Sequence, residues 1–197
     1  MVTRDRAIQD DKFKAWPDPR LVRECLKGNE EAWSALVDKY KHLIFSIPVK
    51  YGFSPDDATD IFQSVCLELL SQLPNLRNPQ ALPKWIMQVT AHKCFHGRRQ
   101  QQRTEVTDPN DPKFEQSTPS RAESILREAE DEQNLRQAVA ALPPRCQQLI
   151  RMLFFEEPAR PYQQVARTLG IAPGSIGFIR QRCLERLRKG LIDAGFS

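Results

Sequence analysis

The sequence predicts an all-α protein: two small helical domains joined by a flexible acidic linker, the C-terminal one a helix-turn-helix. Three observations lead there. The chain of 197 residues nowhere sustains the apolar–polar alternation of a half-buried strand, whereas apolar residues recur at spacings of three and four through most of it. Residues 104–120, TEVTDPNDPKFEQSTPS, hold three prolines and few large apolar groups, which marks a linker and a domain boundary. Near the end, a short helix pattern, a glycine and a second, arginine-rich helix pattern follow one another. The expected division is residues 17–103, a linker over 104–120, and residues 121–197.

Each element has its own signal. Leu21, Val22, Cys25 and Leu26 give a short helix stopped by Gly28. Asn29 caps the next, with Glu30 and Glu31 in the first turn, where negative charge suits the helix dipole. Its stripe is Ala32, Trp33, Leu36, Val37, Tyr40, Ile44 and Ile47, and Pro48 is expected to kink or end it. Ser54, Pro55 and Asp57 start a third helix through a capping-box-like pattern. PNLRNPQALP reads as a loop, and KWIMQVTAHKCFHGRRQQQR as a fourth helix, largely buried at first and basic at its exit. Beyond the linker lie a helix ended by Pro143-Pro144, then RCQQLIRMLFFEE, then PYQQVARTLG and APGSIGFIRQRCLERLRKGL. That makes four helices followed by four.

The net charge of +4 is small, but it is unevenly spread. Lys84, Lys93, Arg98, Arg99 and Arg103 fall in a stretch with no acid, and Gly174 to Lys189 holds five basic residues against Glu185. Between them, Glu105, Asp108, Asp111 and Glu115 face a single Lys113. Two basic patches joined by an acidic strap fit two contacts with one long polyanion. The five cysteines are scattered and odd in number, with no C-x-x-C pair, so all are expected as small buried hydrophobes in a reducing, cytoplasmic setting. MVTRDRAIQDDKFK lacks the apolar centre of a secretory leader, and no apolar run has membrane-spanning length, so no membrane insertion is expected.

In the last two helices, Val165, Ala166 and Leu169 share one face, and Gly170 supplies the turn. Ile176, Ile179, Cys183 and Leu187 then make a stripe that can close against the first. The opposite face shows Ser175, Phe178, Gln181, Arg182 and Glu185, the layout of an outward recognition helix. Phe178 in the middle of a polar face suits contact with thymine methyls or base edges, and Arg182 can grip a guanine in two places. Arg186, Arg188 and Lys189, nearer the C-terminal end, are expected to contact DNA phosphates.

On the third helix, at about 100° per residue, Asp56, Asp60, Gln63 and Ser64 share a face with Leu67 in its middle. Ile61, Phe62, Val65 and Leu69 form the opposite, core face. An apolar anchor ringed by acids fits either an ordinary solvated face or a dock for a basic partner helix. His92 and His96 share a helical face, but Cys94 points away, so no metal is expected there. With three histidines, no glycine-rich phosphate loop and no nucleophilic triad pattern, neither catalysis nor a cofactor has support.

The order of parts is what carries a family resemblance. CLKGNEEAWSALVDKY, DDATDIFQSVCLELL, WIMQVTAHKC…RR and LPPRCQQLIRMLFFEEPARPYQQVARTLGIAPGSIGFIRQRCLERLRK resemble the extracytoplasmic-function sigma factors of bacterial RNA polymerase, over nearly all the chain after residue 17. The resemblance implies core RNA polymerase as partner, through its β′ clamp and β flap, with promoter DNA and optionally an anti-sigma factor. It makes residues 17–103 sigma region 2 and residues 121–197 sigma region 4. It puts Asp56, Asp60, Gln63, Ser64 and Leu67 on the β′ clamp. It assigns the minus-10 element to Asn75, Arg77 and Asn78 of the loop and to His92, Lys93, His96, Arg98, Arg99 and Arg103 of the fourth helix. The recognition helix would read the minus-35 element, and the linker would run near the RNA path. Ala91-His92 and Gly177-Phe178 depart from the family's usual residues at DNA-facing positions, so the family's promoter preference is not implied. A two-domain helix-turn-helix regulator that acts without polymerase is the alternative.

Overall fold

The computed structural model describes residues 16–104, 119–193 and 195. The expected linker, with its four acids, therefore lies almost wholly outside the described residues. The described chain forms eight α-helices and no strand: α1 (Asp18–Leu26), α2 (Glu30–Lys50), α3 (Pro55–Gln72), α4 (Leu82–Thr104), α5 (Pro119–Ala140), α6 (Pro144–Phe154), α7 (Tyr162–Leu169) and α8 (Ile176–Asp193). The chain divides into two compact units, residues 1–133 and 134–197.

The helix starts follow the caps read from sequence. The Asn29 side chain accepts a hydrogen bond from Ala32 N at 3.1 Å, and Ser54 Oγ accepts from Asp57 N at 3.1 Å. Each satisfies a backbone donor that the first turn leaves without an intrahelical partner. Pro48 does not end α2. The helix runs on to Lys50, because Pro48 sits in the last turn, where losing one backbone donor disrupts a single bond.

In the first unit, α1 to α4 enclose Leu21, Leu36, Ile44, Ile47, Leu69, Leu82 and Ile86, all essentially inaccessible. Tyr40 is fully buried with its hydroxyl 2.8 Å from Asp18 Oδ2, and Lys39 Nζ lies 2.7 Å from Asp18 Oδ1. These bonds answer the cost of burying a hydroxyl and tie α1 to α2.

The first half of α5 packs on this same core. Ile125 and Ala129 are fully buried within it, Gln133 Nε2 donates to the Lys39 carbonyl at 3.1 Å, and Lys50 pairs with Glu128 at 3.2 Å and Glu132 at 2.8 Å. Sequence reasoning assigns residues 121–133 to the C-terminal domain. The compact units instead part at Gln133/Asn134, inside α5. An apolar stripe on a helix fixes which face is buried but not which neighbour buries it.

The second unit closes Leu149, Ile150, Val165, Ala166 and Ile176 into one core, with Ile179, Leu169 and Leu187 packed against it. One expectation fails here. Cys146 of α6 and Cys183 of α8 are joined as a disulfide, with Cα atoms 5.4 Å apart, and are not separate thiols. Their spacing of 37 residues gives no hint of pairing, whereas the close packing of α6 on α8 does. Cys25 and Cys94 are buried free thiols as expected, and burial pushes both up to about 12. Cys66 is half-buried.

Candidate polymerase and nucleic-acid interfaces

Three surfaces stand out, on α3, on α4 with the loop before it, and on α8. Along α3 the core face holds Val65 and Leu69, with Ile61 and Phe62 partly covered. Its other side leaves Asp56, Asp60 and Gln63 exposed and Ser64 half-exposed. Leu67 is 68 % exposed and Leu70, one turn on, is 56 % exposed. Leu70 was missed from sequence. It follows the core residue Leu69 and reads as its continuation, while the packing turns it outward. Two large apolar side chains one turn apart, on the side of α3 that carries Asp56 and Asp60 nearer its start, make a patch rather than a stray leucine.

The loop before α4 makes two short 3-10 turns, Leu73–Asn75 and Pro79–Ala81. Asn75, Arg77 and Asn78 are all exposed. Asn78 Oδ1 accepts from Gln80 N at 3.0 Å and Asn75 Nδ2 donates to Gln72 Oε1 at 3.2 Å, so both amides also hold the loop's shape.

On α4 the six basic or histidine positions separate. His92, His96 and Arg99 are exposed. Lys93 is half-buried and its ammonium lies 2.7 Å from Glu68 on α3. Arg98 folds back on the first unit: its guanidinium donates to the Tyr51 carbonyl and lies 5.0 Å from the centre of the Phe53 ring. Gly97 makes room for this, since a Cβ there would meet Phe53 at 3.2 Å. Arg103 lies in the last turn of α4, and its side chain falls outside the described residues. Phe95, which sequence reasoning passed over as an apolar helix residue, is 57 % exposed with its ring 6.0 Å from that of His96. The wheel shows its direction, but not that no neighbouring helix covers it.

The α7–α8 pair is built on Gly170, in the left-handed region at φ 61°, from which the chain turns toward α8. A side chain would be strained there, and glycine is not. Val165, Ala166, Ile176 and Cys183 are buried as the stripes predict. Ser175, Gln181, Arg182, Arg186, Arg188 and Lys189 are exposed, and Phe178 is 66 % exposed. Arg182 lies 5.7 Å from the centre of the Phe178 ring, a cation–π distance that links the two outward side chains. Arg180 turns the other way and donates to the Tyr162 hydroxyl at 2.6 Å, bracing α8 against the start of α7.

An α7 that buries Val165 and Ala166, an outward basic α8 and a tight glycine turn between them make the second unit a helix-turn-helix. Comparison with known proteins carries this further. The family description Sigma-70 region 2 matches residues 36–104, and Sigma-70, region 4 matches residues 138–189. The chain is 25 % identical over 186 residues to the RNA polymerase sigma-H factor of Pseudomonas aeruginosa, covering 88 % of this chain and 93 % of that one. It is 23 % identical over 155 residues to the RNA polymerase sigma factor SigV of Bacillus subtilis, covering 77 % and 86 %. The chain belongs to the sigma-70 family. It is a sigma factor that directs promoter-specific initiation of transcription, and its partners are core RNA polymerase and promoter DNA.

Proposed function

We propose that this sigma factor is of the extracytoplasmic-function type, works in the cytoplasm, carries out no reaction of its own, and divides its task among the three surfaces. The α3 face of Asp56, Asp60, Gln63, Ser64 and Leu67, enlarged by Leu70, docks on the polymerase β′ clamp. The loop residues Asn75, Arg77 and Asn78 and the exposed His92, Phe95, His96 and Arg99 of α4 take the minus-10 strand, with Phe95 offering a ring for base stacking. Within that group Lys93 and Arg98 act mainly by holding α4 in place, since their charges are engaged by Glu68 and by the Tyr51 carbonyl. Ser175, Phe178, Gln181 and Arg182 read the minus-35 element, Arg186, Arg188 and Lys189 hold its phosphates, and the second unit meets the β flap. An anti-sigma factor that silences the protein would cover one of these faces.

The observation that carries this reading is the exposed Leu67–Leu70 pair on α3, on a helix whose outward side also carries the exposed Asp56 and Asp60, which suits a basic helical partner with an apolar seam. The experiment is a pull-down with core RNA polymerase followed by runoff transcription. Asp60→Arg and Leu67→Asp should each weaken core binding by about 2 kcal/mol, with helical content unchanged. Wild-type core affinity in both variants would overturn the assignment of α3.

A further inference from the structure

His92 and His96 stand one turn apart on the exposed side of α4, and their Nε2 atoms lie 3.0 Å from each other. The rings meet edge to face, with centroids 4.3 Å apart at 70°. We propose that this pair is an open chelate for a divalent transition metal that prefers right-angled coordination, of the Ni(II) or Cu(II) class. Metal–imidazole bonds of about 2.0–2.1 Å set at a right angle hold the two nitrogens about 2.9 Å apart, whereas a tetrahedral angle spreads them to about 3.3 Å. At 3.0 Å, itself an ordinary hydrogen-bond distance, the two nitrogens are close enough to reach one metal ion at these bond lengths. Imidazole suits these metals, and the order of divalent affinities favours them over manganese and iron.

Without metal, one Nε2 carries a proton and donates it to the other. Metal binding breaks that bond, and the donor ring moves its proton to Nδ1, so two neutral rings present two Nε2 lone pairs. Of the charges beside the pair, Lys93 lies against Glu68, Arg98 is turned onto the Tyr51 carbonyl with its charge kept, and Arg99, one turn beyond His96, is exposed. A cation at the pair is therefore spared the Lys93 charge, which Glu68 offsets, but still meets that of Arg99. Among the described residues no group of three or more His, Cys, Asp or Glu is placed to hold a metal. The remaining corners are then left to water, which makes the site exchangeable rather than structural.

The test is calorimetric titration of the untagged full chain with nickel(II) chloride, without polymerase or DNA, so its outcome is independent of the promoter assignments. One Ni(II) per chain should bind. Either His92→Ala or His96→Ala should weaken binding on the order of 10²-fold, the effect of losing the second arm of a chelate. His42→Gln, which alters the remaining histidine, should leave binding unchanged. Cu(II) added to the same protein should give electron paramagnetic resonance splitting from two equivalent imidazole nitrogens. No saturable Ni(II) binding, or equal binding in wild type and the His92→Ala/His96→Ala double variant at matched helical content, overturns the proposal and leaves the two rings hydrogen-bonded to each other only.

Discussion

Phe178 and Arg182 face outward from α8 with the guanidinium 5.7 Å from the ring centre, so under the proposed reading their effects on promoter choice should be coupled. Arg182→Ala is expected to cost about 1–3 kcal/mol at one position of the minus-35 element, the usual loss of a bidentate guanine contact. Phe178→Ala should relax choice at a neighbouring position with little change in salt dependence, because it removes shape and not charge. The ring also steadies the guanidinium 5.7 Å away, so the double variant should lose less than the sum of the single losses. Arg186, Arg188 and Lys189 should behave differently, each lowering the salt slope by about one and weakening all sequences alike. Holoenzyme transcription across a library of single-base minus-35 variants separates these outcomes. A uniform drop over all variants for Arg182→Ala and Phe178→Ala would remove both from base reading.

At the scale of elements, α5 and the α6–α8 pair carry the testable consequences. Ile125 is fully buried among residues of the first unit, so Ile125→Ala should destabilise that unit by about 2–5 kcal/mol and leave the helix-turn-helix melting point unchanged. A loss confined to the second unit would show that α5 belongs there. The ion pairs of α5 add a pH dependence. The hydrogen bond from Lys50 holds the Glu128 carboxyl below its usual range, and the bond that Lys50 donates to Glu132 holds the lysine above its own. The lowered carboxylate stabilises the fold above its unfolded range, about pH 4.3, and this is lost as pH falls through the folded value. The raised lysine stabilises it below about pH 10.4, and this is lost as pH rises through the folded value. Amide exchange over residues 119–133, corrected for intrinsic rates, should therefore show α5 best protected at neutral pH and loosened at acid pH. Equal protection at pH 3 and pH 7 would refute it. In the second unit, the Cys146–Cys183 bridge spans 37 residues, and opening a loop of that size costs about 4 kcal/mol. Reductant should lower the melting point of this unit in the wild type and have no effect on a Cys146→Ala/Cys183→Ala variant.

For the whole molecule, the division inside α5 decides how the protein can be cut. Limited proteolysis is expected to act first between Thr104 and Ser120, where prolines and acids replace apolar residues. The cleaved first piece then lacks Ile125 and Ala129, part of its own core. A fragment of residues 1–133 should therefore melt higher than one of residues 1–104, although the Sigma-70 region 2 match ends at residue 104. Equal melting points would show that the first half of α5 adds nothing to that unit.

Local signals carried most of the fold. Asn29 and Ser54 start their helices with a side-chain acceptor that needs only the next three residues, and Gly170 turns the chain through a backbone region that glycine alone enters freely. The outward faces of α3 and α8 were legible for the same reason, since direction on a helix is a matter of spacing. The burial of α5 against α1–α4, the joining of Cys146 to Cys183, the turning of Arg98 onto Phe53 and the exposure of Phe95 and Leu70 were not. Each depends on which distant residue becomes a neighbour, and helical spacing fixes the direction of a side chain but not what it meets.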